Sequence, residues 1–237
     1  LDITAGHESF DRTFNGINGL KTIQTATGIF VNDNFSNIVR LGGNTTRKAI
    51  EGYFLRTNYN FDNKYYFGAS VRRDGSSVFS EDSRWGTFYS VSGAWRVDQE
   101  KFMENVSWID ALKFRASYGE VGNDDLLYFF ISQPRFSITS NAAAPAIINT
   151  DLGNAALKWE TIENFDVAAE FTLFNNFLDG SVEYYRRNSS DLLYNLPIPP
   201  SNGLNEVPTN IGDMYNSGLE IALTTHLVNN NDVRWDV

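Results

Sequence analysis

The feature that most constrains the fold is a repeated period of two between apolar and polar residues. It runs through Ile50–Phe61 (IEGYFLRTNYNF), Lys64–Arg73 (KYYFGASVRR), Trp85–Val97 (WGTFYSVSGAWRV) and Leu112–Gly122 (LKFRASYGEVG). Tyr65, Phe67, Ala69 and Val71 fall on one face, and Tyr66, Gly68, Ser70 and Arg72 on the other. Trp85, Tyr89, Val91, Trp95 and Val97 oppose Ser90, Ser92 and Arg96 in the same way. Successive side chains of a strand point to opposite faces, so this pattern predicts strands with one oily and one wet face. The strands are long, and tight polar links such as Asp62-Asn63 alternate with loops of very different size. That combination points to a membrane β-barrel rather than to a soluble sandwich.

Composition is compatible with this. Hydrophobic residues make up 42% of the chain and aromatics 14%, beside a net charge of -10. The aromatics are spread at alternate positions, so no stretch reaches the roughly 18 apolar residues that a membrane helix needs. A barrel needs no such stretch, because its strands satisfy one another's backbone groups. Cysteine is absent, which excludes disulfides, thiolate metal sites and a cysteine nucleophile. The acidic balance, with scattered Lys and Arg, argues against a nucleic-acid partner. Leu1-Asp2-Ile3-Thr4 already reads as a strand and Val233–Val237 as another, so both ends look cut and the chain reads as part of a longer protein.

About nine strands are expected from the alternation: 1–7, 48–61, 64–74, 85–98, 112–122, 157–174, 177–189, 213–228 and one from Val233. Long loops are expected over 8–46, 123–156 and 190–212, the last two punctuated by prolines. The spacing of Phe102, Met103, Val106 and Ile109 predicts a short helix or an irregular turn over 99–111. Asp62-Asn63, Asn175-Asn176 and Asn229–Asp232 carry residues that tolerate the positive φ of hairpin turns. In a barrel of this kind short turns face the periplasm and long loops face outside. That places 9–46, 75–84, 123–156 and 190–212 outside.

No catalytic constellation emerges, and no enzymatic activity, cofactor or metal is expected. Asp74-Gly75-Ser76-Ser77 sets a serine beside a carboxylate, but a triad also needs a base, and His7 and His226 stand in no recognisable relation to it. A strand end turning into a loop is the stronger reading. Glu81-Asp82, Asp124-Asp125 and Glu160/Glu163 read as solvated acids rather than as a glycosidase pair or a calcium loop. Tyr53, Tyr59, Tyr65, Trp85, Trp95, Trp159 and Tyr184 suit the half-wet rim of a bilayer. Near the outer mouth, Tyr128, Phe129, Phe130 and Phe136 are the aromatics placed to stack on a ligand.

Several blocks, in order, resemble one family. Asn58-Tyr59-Asn60, Lys64-Tyr65, Arg72-Arg73-Asp74-Gly75-Ser76-Ser77, Arg84-Trp85-Gly86, Ser90-Val91-Ser92 and Trp95-Arg96 are similar to a signature of the SusC/RagA family of TonB-dependent outer-membrane transporters. Leu112–Gly119, Gly122-Asn123, Leu157–Thr161, Tyr184–Arg187, Asp191–Leu193, Asn210–Gly212 and Asn216–Glu220 continue the series. The resemblance implies an all-β, transmembrane, antiparallel up-and-down barrel of roughly 22 strands, with 1–237 a partial barrel domain and the lumen-filling plug domain outside it. It implies a nutrient importer for glycans or peptides in the outer membrane of a Gram-negative, Bacteroidetes-like bacterium. The implied partners are the bilayer, a SusD-like surface lipoprotein, the TonB complex acting through the N-terminal part, and an oligosaccharide or peptide substrate. The alternative is a soluble carbohydrate-binding β-sandwich. Substrate contacts are expected at the loop-proximal strand ends and loops: Asp74, Arg84, Glu120, Asn123, Asp124, Tyr128, Arg135, Lys158 and Glu160. The competing reading of these residues is that they brace loops through salt bridges.

Overall fold

A computed structural model describes residues 1–125, 129–141, 144–229 and 234–237. Its framework is a nine-stranded antiparallel sheet formed by β1 (Asp2–Gln24), β2 (Phe35–Phe61), β3 (Tyr65–Ser76), β4 (Trp85–Arg96), β5 (Ile109–Asn123), β8 (Glu160–Leu173), β9 (Leu178–Ser190), β12 (Met214–Asn229) and β13 (Arg234–Asp236). Each strand pairs with the next in that order. Two further hairpins, β6 (Arg135–Asn141) with β7 (Ala144–Asp151) and β10 (Leu193–Pro197) with β11 (Glu206–Asn210), are carried in the connections β5–β8 and β9–β12. The sheet does not close on itself. No described helix is long and apolar enough to cross a membrane, which says nothing of crossing by strands.

The register sorts side chains onto two faces. One row joins Leu55, Val71 and Tyr89, and another joins Phe114, Ala169, Val182 and Ile221. The opposite face carries Arg56, Ser70, Ser90, Gly119, Asn164 and Arg187 in one continuous row. Phe67, Val71, Val91, Phe114, Val167, Leu219, Ile221 and Leu223 all lie on the first face and are exposed, Ile221 at 60%. A water-soluble protein rarely leaves so continuous an apolar face uncovered. A β-sandwich would cover it with a second sheet, and none of the described residues does so. The polar face is hollowed, with a trough of about 890 Å³ whose lining includes Tyr66, Arg96, Lys113, Glu170, Thr172 and Ala222. Lys113, Arg115, Glu170 and Glu183 form a chain of ion pairs on this face, with Arg115 Nη2 2.5 Å from Glu183 Oε2.

Connections differ by end. At one end lie the links 62–64, 97–108 and 174–177. Asp62, Asn63, Asn175 and Asn176 have φ of 52–60°, the left-handed region that Asn and Asp tolerate. Phe174 shares that region at φ 60°, which no turn signal in the sequence announces. Of the short helix or irregular turn expected over 99–111, the structure has the irregular turn, begun by two single 3₁₀ turns, Val97–Gln99 and Lys101–Met103. Asp98 explains the tight path: it accepts hydrogen bonds from Arg96, Gln99 and the Leu112 N–H. Burial pushes its carboxyl up, but those three donors outweigh it and hold the pKa below the usual range. Glu100 accepts from the Tyr65 hydroxyl and the Trp95 indole, which lower its pKa too. Two aromatic rings of the apolar face are thus pinned by their polar tips, as rim aromatics are in barrels. The turn expected over Asn229–Asp232 falls largely outside the described residues, as does Val233.

The largest correction concerns 8–46. The expected loop is instead a continuation of β1 and β2, which pair from Asp2↔Asn58 to Gln24↔Phe35 with one register shift at Leu20/Lys21. Its Gly, Asn and Thr residues carry no apolar alternation because neither face is buried: Ile17 is 88% exposed. Backbone pairing, with cross-strand polar contacts such as Arg47–Asp11 and Thr45–Asn15, organises it, and periodicity cannot signal that. Likewise the loops expected over 123–156 and 190–212 each contain a hairpin.

Candidate functional site at the loop end

The opposite end of the sheet gathers the connections 25–34, 77–84, 124–159 and 191–213. Three of them share a small core: Val78 and Phe79 after β3, Ile131 after β5, Leu157 and Trp159 before β8, with Phe88 of β4 beneath and Leu193 against it. Phe79 is 1% exposed and Leu157 0%. Phe88 and Trp159 meet edge to face at 5.6 Å, and Phe79 lies 5.3 Å from Trp159. Gly86 and Gly122 make room for the Phe88 ring, since a Cβ at either position would collide with its Cζ. A phenylalanine fully buried in such a cluster is typically worth about 3–5 kcal/mol against alanine.

Hydrogen bonds then fix the backbones. The Trp159 indole donates to the Arg84 carbonyl at 3.0 Å, Ser83 Oγ to the Leu157 carbonyl at 2.5 Å and Ser80 Oγ to the Ala155 carbonyl at 2.7 Å. Asn210 clasps two segments: its Oδ1 accepts from the Lys158 N–H, and its Nδ2 donates to the Lys158 and Asp191 carbonyls. Asn154 Nδ2 donates to the Pro208 carbonyl. The loops therefore form one folded cap on the end of the sheet.

Most of the sequence-predicted site residues take part in this bracing. Asp74 is buried and accepts from Arg72 Nε at 2.8 and 2.7 Å. Asp124 binds Lys48 Nζ at 3.0 Å and the buried Ser76 hydroxyl at 2.6 Å. Arg135 pairs with Asp151 at 2.5 Å, and Lys158 with Asp191 at 2.7 Å. Glu160 accepts from the Leu193 N–H, and Asn123 Oδ1 from the Asp125 N–H. Arg84 contributes its carbonyl, while its side chain is exposed. Glu120 does not belong with them: it pairs with Glu163 at a register position of the apolar face, where the Tyr118 hydroxyl donates to it. Tyr128 lies outside the described residues. Trp159 is a core residue rather than a rim aromatic. Phe129 stacks on Phe14 at 4.9 Å, while Phe136 is 62% exposed.

Sequence reasoning missed Phe88, Ser76, Lys48, Asp151, Asn154 and Asn210 as parts of this cap. The glycines at 86 and 122 were the available signal for a ring between them. Ser76, read as a loop residue, donates to Asp124, and His7 stands on the other face against Glu51. Ser76 and Asp124 thus meet through one hydrogen bond, and neither is bonded to an imidazole among the described residues. What the cap offers is a rigid polar surface. Between the hairpins β6–β7 and β10–β11 it has a cleft of about 460 Å³ lined by Arg135, Thr150, Asp151, Asn195, Asn205 and Glu206. Its wall carries hydrogen-bond donors and acceptors and charges of both signs.

Comparison with known proteins agrees with this architecture. The family described as TonB dependent receptor-like, beta-barrel matches residues 3–237. A TonB-dependent receptor of Formosa agariphila is 34% identical over 203 residues, 84% of this chain and 19% of the relative. The TonB-dependent receptor SusC of Bacteroides thetaiotaomicron is 31% identical over 200 residues, 81% of this chain and 20% of SusC. Among solved structures, the RagAB peptide transporter superposes with a TM-score of 0.85 at 27% identity, covering 98% of this chain and 26% of that one. The chain thus spans about a fifth of the length of the sequence relatives it matches.

Proposed function

This chain belongs to the TonB-dependent receptor-like β-barrel family, and on that premise we propose that it is a stretch of the wall of an outer-membrane nutrient importer of the SusC type. The observation that carries the reading is the division of one sheet into a bare apolar face and a charged, hollowed face, with tight turns at one end and a folded cap at the other. A bilayer covers the first face, a lumen lies against the second, and the cap stands outside. The membrane is the outer membrane of a Gram-negative bacterium. The relatives supply the transport class: the solved RagAB is a peptide transporter. Oligosaccharide or peptide is the cargo class, a SusD-like lipoprotein meets the cap, and the TonB complex acts through parts of the protein beyond this chain.

Within the cap, cargo contacts fall on Arg84, Asn123, Arg135 and the cleft between the two hairpins. Asp74, Asp124, Lys158 and Glu160 hold the loops that present them. The work is binding and gating, without a covalent step. Deletion of the full gene, complemented by wild type or by Arg135→Ala, tests this through uptake of labelled oligosaccharides and peptides. Deletion is expected to abolish uptake of one class, and Arg135→Ala to lower apparent affinity about tenfold, the equivalent of roughly 1.4 kcal/mol, with receptor abundance in the membrane unchanged. Unaltered uptake of every cargo in the deletion strain, or recovery of the full-length protein in the aqueous fraction without detergent, would sink the reading.

A further inference from the structure

The apolar face changes character at its loop end. From Leu55, Val71, Val91, Ala116, Val167 and Tyr184 to the tight turns, no charged residue occupies a register position of this face. Toward the loops the same face carries Glu51, Arg73, Glu120, Glu163 and Arg186. The acids among them are engaged. Glu51 Oε1 accepts from the Tyr53 hydroxyl at 2.6 Å and lies 3.2 Å from His7 Nε2. Glu120 accepts from the Tyr118 hydroxyl at 2.9 Å, and Glu163 from Asn188 Nδ2 at 3.2 Å. The two arginines face rings instead. The Arg73 guanidinium lies 5.4 Å from the centre of the Trp85 ring and that of Arg186 5.2 Å from the Tyr215 ring, where Arg186 Nε also donates to Asn188 Oδ1. Both are exposed, and neither makes an ion pair with a described residue.

Neighbouring strands shape the seat of Arg73. It stands in register with Tyr53 on one side and Thr87 on the other. Trp85 lies opposite Gly75, where a Cβ would meet three atoms of the indole at 3.0 Å, so the glycine lets the ring lie against β3. The Tyr53 ring is 6.3 Å from the indole. A ring face steadies a guanidinium but leaves its fork of N–H donors open to an anion. At the rim of a bilayer the available anion is a headgroup phosphate, which arginine matches with paired hydrogen bonds. Toward the tight turns the wall is apolar, so a phosphate carried on acyl chains gains contacts that free phosphate cannot make.

We propose that this rim is a lipid-binding site, in which Arg73 braced by Trp85 and Arg186 braced by Tyr215 each hold a phosphate of an outer-leaflet lipid headgroup. Charge complementarity selects the anion, and the apolar wall beside it selects a lipid as the source. The leaflet follows from the placement of both arginines toward the end of the sheet that carries the cap. The inference rests on the apolar face meeting the bilayer and the cap standing outside, as the transport reading has it.

The test uses the full-length receptor, first verified as membrane-inserted by detergent-dependent extraction and active in uptake, so that failure of the transport reading is detected separately. The purified receptor in detergent is titrated with phosphorylated lipid A and, in parallel, with the same lipid after removal of its phosphates, and bound lipid is followed by native mass spectrometry. The phosphorylated lipid should bind about tenfold more tightly than the dephosphorylated one. Arg73→Gln should weaken it about tenfold and Arg186→Gln about threefold, the latter less because Asn188 already takes one donor. Arg73→Lys, which keeps the charge without the fork, should fall between Arg73→Gln and wild type. Arg187→Gln, a cation of the opposite face, should leave lipid binding unchanged, and inorganic phosphate should not displace the lipid. Equal affinity for the two lipids, displacement by inorganic phosphate, binding unaltered in the double variant Arg73→Gln/Arg186→Gln, or an equal loss in Arg187→Gln would each overturn the proposal in a receptor that is otherwise inserted and active.

Discussion

The two ends of the sheet are built on different principles. The tight-turn end is reversed mainly by local chemistry, with Asp62-Asn63 and Asn175-Asn176 at positive φ and Asp98 bonded to Arg96 and Gln99, and neighbouring turns are then tied by single contacts such as Tyr65–Glu100 and Asn176–Asp110. The loop end is closed by contacts between residues far apart in sequence, as when Trp159 packs on Phe79 and bonds the Arg84 carbonyl, or Asn210 clasps Lys158. Beside that cap the β1–β2 extension is a backbone ladder with no buried residue on its outer part, laced by exposed cross-strand pairs such as Arg47–Asp11 and touched by the cap where Phe129 stacks on Phe14. Tight turns need merely to reverse the chain, whereas a cap that presents a binding surface, as proposed, must hold its loops in one arrangement. The difference in construction follows from that difference in task.

The comparison is broken most directly at the cap. Phe79→Ala in the full-length receptor should cost about 3–5 kcal/mol of local stability, read as greatly increased protease cleavage within 77–84 and 129–159 while the tight-turn end stays protected. Cleavage spreading evenly to both ends would show that the cap is not a separate core. At the tight-turn end, Asn176→Val forces a β-branched residue to a φ of 60° and should cost about 1–3 kcal/mol, visible in thermal unfolding, whereas Asn176→Gly should be nearly neutral.

Acid sharpens the contrast further. Asp98 has a folded pKa held below its ordinary value. Its contribution is therefore fully present above the ordinary aspartate pKa, about 3.9, and is lost as pH falls through the lower folded value. Amide exchange at Leu112, corrected for intrinsic rate, should accelerate below about pH 4. Asp98→Asn should remove that acid limb; an identical limb in the variant would assign it elsewhere. The smallest effect is expected in the extension: Ile17→Asn should change stability by less than about 0.5 kcal/mol, since its side chain contacts little but solvent. A loss comparable to Phe79→Ala would mean that this arm is packed in the intact protein.

Much of the framework was legible in the sequence because it is local. A period of two fixes which residues share a face once strands pair, so Phe67, Val91 and Ile221 fall together opposite Ser70, Ser92 and Glu220. Asn and Asp at 62–63 and 175–176 announced the turns because their short polar side chains tolerate a backbone that others avoid. Tertiary structure decided what depends on partners distant in sequence. Residues 8–46 lack alternation and read as loop, yet they pair, because a two-stranded ladder needs only complementary backbone groups. Trp159 reads as a rim aromatic and Lys158 as a ligand contact, but the meeting of three connections buries one and pairs the other with Asp191. Glu120 sits two residues from Tyr118, and only the register shows that both share the apolar face. Periodicity and turn chemistry determine how a strand is made and reversed; which loops meet, and therefore which polar groups are paired, is set by the strand order that brings the connections together at one end of the sheet.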